Sequence, residues 1–470
     1  MRVCCFSVIS AVAFSASTLI GGVIWLDWAT DREPVSYRVN ETMTFRVRLV
    51  EDGKPLAGKL LKWTRTGDDK KTVSGETATA ENGSAQIEAS IGVPGFVRME
   101  VWPFHSDKTP LNGANGRPLK FDGGAGADIG KLEPYPEPAD FDAFWQQQKL
   151  RLAGVPVKAS LREITPARQG FRMFDVRVDC AGGKPVSGYL SFPDDAKPRS
   201  LGAHVGFVGY GARSATQDYR RGMIVFQINA HGIENGREPA YYQALQTGEL
   251  KGYGFNAEEN ARPETCYFNG MMLRVMRALE FVKSRPEWDG KTLTVFGSSQ
   301  GGFQAVAAAG LDPAVTECVL LKPWFCDLGG ITLGRLRGWR PDLADGLLYY
   351  DGVSMGKRIT CKTVITAGLG DYTCPPSGLA VLYNRIKAPK RMEYLQGVAH
   401  GYETPPNPPE PAKQTVSDGP CPDTAAATLH VAPDGDDAAA GSAAAPLATL
   451  TAARQKIRDL KKKAVSLPAA

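Results

Sequence analysis

The run TLTVFGSSQGGFQAVAAAG, residues 292–310, passes from a β-branched apolar strand signal to an alanine-rich helix signal with almost no chain between them. A strand can enter a helix over so short a bend only through a strained turn. The residues two before and two after the strained one crowd the strand and the helix, so both must lack a side chain. Gly297 and Gly301 flank Ser299 at that spacing, whereas Ser298 would have Phe296 and Gln300 in those places. Ser299 is therefore the residue the turn presents, and the chain around it must supply a sheet covered by helices.

It does. FRMFDVRV, VSGYLSF, AHVGFVGY and MIVFQINA are apolar strand runs, and YFNGMMLRVMRALEFVKSR is a long helical one. Their alternation predicts an α/β fold over residues 134–403, a mostly parallel sheet flanked by helices. DFDAFWQQQKLRL predicts a helix capped by Asp140. Before this, MTFRVRLV, GKLLKWTRT, SAQIEASI and GFVRMEVW alternate with period two between turn-rich pieces. That pattern predicts a small antiparallel β-sandwich, Ig-like, over residues 25–109.

Residues 110–133 are rich in Gly and Pro and predict a linker; residues 404–428 predict a second, proline-rich one. The stretch 429–470 resembles the opening of a right-handed parallel β-helix. With too few rungs to bury a core, it is expected to be poorly ordered and the chain to be a piece of a longer one. Residues 1–24 are apolar after Arg2 and predict a signal peptide or an N-terminal membrane anchor, hence a secreted or periplasmic protein. Only the last part of that stretch, with the residues after it (VIWLDWATD), reads alternatively as a strand.

The formal net charge of +5, spread without long single-sign blocks except near the C-terminus, is too mild to imply a nucleic-acid partner, and none is expected. Seven cysteines lie beyond the apolar start, scattered and without a CxxC pair, so no metal site is expected.

A serine hydroxyl becomes a nucleophile only beside a base, and the base needs an acid to fix its tautomer. In sheets of this kind the chain order is Ser, then Asp or Glu, then His. Of five histidines, His105 lies outside the α/β region, His204 and His231 precede the serine, and His430 is in the tail. His400 remains, in MEYLQGVAHGYE. Among the acids between the two, Asp371 alone directly follows an apolar strand, TVITAGLGD, which places it at the same sheet edge. Developing negative charge on a carbonyl oxygen calls for two amide donors: the N–H of Gln300 at the helix start, and that of Tyr210 in HVGFVGYGARS.

Residues 134–403 also resemble the acetyl xylan esterase / cephalosporin C deacetylase family of α/β-hydrolases. The resemblance is carried by ADFDAFW, GYGARS, RALEFVKSRPEWDGKTLTVFGSSQGG, KPWFCD, LGDYTCPP and AHGYE. It implies Ser299 as nucleophile, Asp371 as acid, His400 as base and the amides of Tyr210 and Gln300 as oxyanion donors. It further implies hydrolysis of acetyl groups from sugar hydroxyls without a cofactor. Where many relatives carry Arg-Gly, this chain has His231-Gly232 and then the insert IENGREPAYYQALQTGELKGYGF. His231 and Tyr241 are accordingly candidate substrate contacts, and the side chains of Tyr210 and Gln300 are expected to be free to shape the pocket. Two other readings stand beside an exported deacetylase: an α/β-hydrolase of other specificity, such as a broad carboxylesterase or peptidase, and a non-catalytic glycan-binding protein. The oligomeric state is left open.

Overall fold

The computed structural model describes residues 23–404 except 114, and residues 429–456 except 431, 433, 434, 443, 450 and 454. The signal or anchor expected at the N-terminus and the proline-rich linker lie outside the described residues, apart from the residues that border each. The chain divides into two compact units, Met1–Glu410 and Pro411–Ala470. Among the described residues no helix is long and apolar enough to cross a membrane.

The first unit opens with two four-stranded antiparallel sheets. One contains Ile24–Thr30, Met43–Glu51, Lys54–Pro55 and Ser84–Ala89; the other runs Val73–Ala78, Leu60–Gly67, Gly95–Phe104, Phe121–Ala127. Alternate residues such as Phe45, Val47 and Leu49 from the first sheet and Val97, Met99 and Val101 from the second face one another in a common core. Ile24–Thr30, read from sequence only as an alternative, is a strand paired along its length with Met43–Glu51.

Phe121–Ala127 corrects the expected linker over residues 110–133. This strand, FDGGAGA, is wholly buried and pairs antiparallel with Gly95–Phe104. Its glycines reflect close approach of main chain from two sides. A Cβ on Gly124 would stand 2.4 Å from the carbonyl oxygen of Val97 and 2.8 Å from that of Leu369.

The large mixed sheet has nine strands: β1 (Ala159–Ile164), β2 (Phe171–Val178), β3 (Val186–Pro193), β4 (Leu201–Phe207), β5 (Met223–Ile228), β6 (Trp288–Ser298), β7 (Glu317–Leu321), β8 (Lys362–Gly368) and β9 (Lys390–Leu395). Their order is β1-β2-β3-β5-β4-β6-β7-β8-β9. The first three strands are antiparallel to their neighbours and the rest pair in parallel. The helices that bear on the site are α1 (Phe141–Ala153), α2 (Pro239–Thr247), α3 (Tyr267–Lys283), α4 (Gln300–Leu311) and α5 (Pro376–Arg385). Asp140 precedes α1, but its carboxylate caps no amide and instead accepts from the Tyr349 hydroxyl at 2.5 Å.

In the second unit the described residues form a small turn around buried Leu447, whose amide donates to the His430 carbonyl at 2.9 Å.

Candidate active site

β6 passes directly into α4 through Ser299, whose φ of 55° and ψ of −121° lie outside ordinary helix and strand space. The bend is held by the neighbouring strand: the Ser299 amide donates to the Leu321 carbonyl at 2.9 Å, and the Trp324 amide donates to the Ser299 carbonyl at 2.9 Å. Glycine is required on both sides. A Cβ on Gly297 would stand 2.1 Å from Gly301 main chain, and one on Gly301 would stand 2.2 Å from the Phe207 carbonyl oxygen. Lys322, Phe325 and Asp327, in the loop after β7, also have positive φ. Backbone strain is thus concentrated along the edge where β6 and β7 end.

Asp371 follows β8 by three residues and is 0% exposed. A buried carboxylate is costly unless its oxygens are satisfied. Here Oδ1 accepts the amides of Thr373 (3.0 Å) and Cys374 (2.9 Å), which leaves Oδ2 for the ring of His400 at 2.9 Å from Nδ1. His400 sits at the tip of a hairpin between Val398–Ala399 and Tyr402–Glu403, where Gly401 supplies the positive φ the turn needs. Its other nitrogen, Nε2, lies 3.2 Å from the Ser299 hydroxyl. Three side chains from three loops therefore form one hydrogen-bonded run at the C-terminal edge of the sheet.

The sandwich braces two of those loops. Gly124 and Gln396 exchange a reciprocal pair, Gly124 N–H to Oε1 and Nε2 to the Gly124 carbonyl, both 2.8 Å. The Tyr402 hydroxyl donates to the Lys120 carbonyl at 2.8 Å. A Cβ on Gly370 would stand 2.2 Å from the carbonyl oxygen of Asp122. Arg98 grips Asp122 through two 2.8 Å bonds and covers the ring of Tyr372, the neighbour of Asp371, at 5.1 Å.

Ser299 and His400 open into a cleft of about 710 Å³ that Tyr210 also lines. Gln300 begins α4 immediately behind Ser299, but its side chain does not shape the pocket as expected from sequence. It is fully buried, and its Oε1 accepts from the Tyr253 hydroxyl at 2.8 Å. The same hydroxyl accepts from the Gly211 amide at 3.1 Å, and the Tyr253 ring stacks on that of Tyr210 at 4.9 Å. Tyr253 thus ties together the two segments whose amides are the candidate oxyanion donors. Burial pushes its phenol well above the ordinary range, so it stays a neutral donor. Tyr253 lies in the insert after Gly232, and its role is not evident from sequence. The insert's closing pair of glycines, Gly252 and Gly254, both at positive φ, was the available signal.

His231 and Tyr241 are not brought to the cleft. His231 is 1% exposed, bonded through Nδ1 to the Tyr267 hydroxyl at 2.7 Å and packed edge-on against Tyr253. Burial lowers its pKa to about 3, so it is a neutral packing residue. Tyr241 lies on α2 beside Tyr242 and under the Arg237 guanidinium, outside the cleft lining.

Asp371, Cys374 and His400 present ligating atoms within 4.8 Å of one another. The carboxylate and ring already bond to each other, and burial holds the Cys374 thiol well above its ordinary pKa. That donor set suits a proton relay better than a cation.

A sequence model of the acetyl xylan esterase (AXE1) family matches residues 131–333 and 340–407, well over half of the chain. Acetyl esterase Axe7A of Xylanibacter ruminicola is 28% identical over 337 residues, 68% of this chain and 74% of that protein. Among solved structures, an acetyl xylan esterase from Paenibacillus sp. R4 is 26% identical with a TM-score of 0.49, over 58% of this chain and 93% of its own. Acetyl xylan esterase 1 from Thermoanaerobacterium sp. JW/SL YS485 is 21% identical with a TM-score of 0.48, over 58% and 92%.

Proposed function

We propose that this chain, which belongs to the acetyl xylan esterase family, removes acetyl groups from carbohydrate hydroxyls as an exported serine esterase. The observation that carries the reading is the hydrogen-bonded run Ser299–His400–Asp371, with the hydroxyl 3.2 Å from one ring nitrogen and the carboxylate 2.9 Å from the other.

In this reading Nε2 of His400 takes the Ser299 proton as Oγ bonds to the acetyl carbonyl carbon, and negative charge collects on the carbonyl oxygen. The amides of Tyr210 and Gln300 receive that charge, each worth about 10²–10³ in rate. Asp371, held by two amides, keeps Nδ1–H pointing at itself and stabilises the imidazolium. Collapse breaks the bond to the sugar oxygen, which leaves with the proton from His400, and water then repeats the sequence to release acetate and free Ser299. Apart from the incoming water, every step in this reading uses side-chain or main-chain groups. Export is inferred from the apolar stretch at the N-terminus.

Ser299→Ala should lower acetate release from acetylated xylan, mannan, pectin and small sugar acetates by about 10⁴-fold or more. Retained hydrolysis in that variant would refute the nucleophile, and faster cleavage of butyryl or feruloyl than acetyl esters would refute the deacetylase reading.

A further inference from the structure

The cleft beside Ser299 carries a charge that the hydrolytic relay does not use. Besides the apolar Phe207 and Phe296, its wall contains Arg213, Asp218, Arg220 and Gln227. Asp218 is the one acid among the lining residues, and it is already committed. Its Oδ2 accepts Nε of Arg220 at 3.0 Å and Nε2 of Gln227 at 3.2 Å, while Oδ1 accepts the Tyr219 amide at 2.8 Å. Arg220 and Asp218 therefore cancel. Arg213 has no ion pair or hydrogen bond among the described residues, which leaves one uncompensated positive charge in the cleft.

That charge is placed by a built turn. Gly211 has φ of +103°, and the Arg213 guanidinium folds back over it: a Cβ there would stand 3.3 Å from Nη2 and 3.8 Å from Nε. The turn is fixed from two sides, by the Gly211 amide on the Tyr253 hydroxyl at 3.1 Å and by the Ala212 amide on Gln246 Oε1, from α2, at 2.8 Å. The planar fork is thus presented one turn away from Tyr210, whose amide is the candidate oxyanion donor. A guanidinium offers paired N–H groups that match the two oxygens of a carboxylate, and it stays charged at any working pH.

We propose that the cleft selects acetyl esters on anionic glycans, with Arg213 pairing with the carboxylate of a uronic acid next to or bearing the acetyl group. This rests on the esterase reading above and names its substrate class. The half-buried Phe296 supplies apolar floor for a sugar ring, and the Asp218–Arg220–Gln227 cluster supplies hydrogen-bonding partners for its hydroxyls.

The test compares steady-state hydrolysis of acetylated oligogalacturonate, acetylated xylo-oligosaccharide and 4-nitrophenyl acetate by the full chain. Wild type should favour the oligogalacturonate in kcat/KM. Arg213→Ala should lower the ratio of anionic to neutral kcat/KM about 10-fold, chiefly through KM, and Arg213→Lys should recover part of it. Added salt should erode the same preference in wild type. An unchanged ratio in Arg213→Ala, or an equal loss on all three esters, would overturn the proposal; the second result would place the guanidinium at the reaction centre instead. Ser299→Ala keeps the two readings separate, since near-wild-type hydrolysis there refutes Ser299 as the nucleophile whatever Arg213 does.

Discussion

Ser299 and the pair Asp371–His400 belong to one hydrogen-bonded run yet are held by different means. The serine is fixed by its own surroundings: two glycines within two residues, the carbonyl of Leu321 on the adjacent strand, and the amide of Trp324. The acid and base stand on loops whose far sides rest on the sandwich, including a reciprocal Gly124–Gln396 pair that spans 272 positions of sequence. The geometry of Ser299 is a local steric fact. The loops that hold Asp371 and His400 are in tertiary contact with a separate pair of sheets.

The sharpest way to break that contrast is at the bend. Gly301→Ala puts a methyl group 2.2 Å from the Phe207 carbonyl, with no flexible side chain to yield. Loss of ester hydrolysis by about 10³-fold is expected together with a lower melting temperature, since overpacking alone costs about 1–3 kcal/mol; near-normal turnover would show slack in the bend.

Next in size, Gln396→Ala removes both bonds to Gly124 and leaves that amide and carbonyl unpaired, a penalty of about 1–3 kcal/mol each. If the sandwich aligns the relay, kcat should fall about 10-fold, since about 1.4 kcal/mol of lost alignment is one decade, with KM little changed. A drop in melting temperature at unchanged kcat would reduce the sandwich to a mere support.

The smallest effect concerns a contact that does not reach the relay. Asp68, in the sandwich and 3% exposed, accepts the Phe96 amide at 2.8 Å, the Leu336 amide at 3.1 Å and the Ser377 hydroxyl at 3.3 Å. Burial, offset in part by those bonds and by Arg335, raises its pKa from the ordinary 3.8 to about 6. The folded state therefore holds a proton that the unfolded chain has released, so this stability is fully present below pH 3.8 and is lost as pH rises through about 6. The melting-temperature advantage of wild type over Asp68→Asn should be larger at pH 4 than at pH 7 by a few degrees. A constant difference would mean that Asp68 stays ionised throughout.

What could be read from sequence follows the same division. Ser299 was legible because its constraint lies within five residues, and His400 because only five histidines exist. The parallel sheet, the long helix and the alternating sandwich strands were legible from their periods. FDGGAGA was misread as linker because glycine demanded by main chain closing in from two remote segments looks, locally, like glycine demanded by a turn. His231 was misread because a residue after a strand end can face inward as readily as outward, and only the positions of Tyr253 and Tyr267 decide it. Tyr253 escaped because its role is to join two distant amide-bearing segments, a property of no single stretch of chain.

The strand Phe121–Ala127 has a further consequence, for how such a protein can be rearranged. Its main chain touches the loops that hold Asp371 and His400, through Gly370 and through Gln396, so gene shuffling that dropped the leading module would strip main-chain partners from both. An engineer trimming to the start of the larger sheet would keep Ser299 and its bend, yet expose the Gln396 amide and the face of Gly370 that this strand now covers.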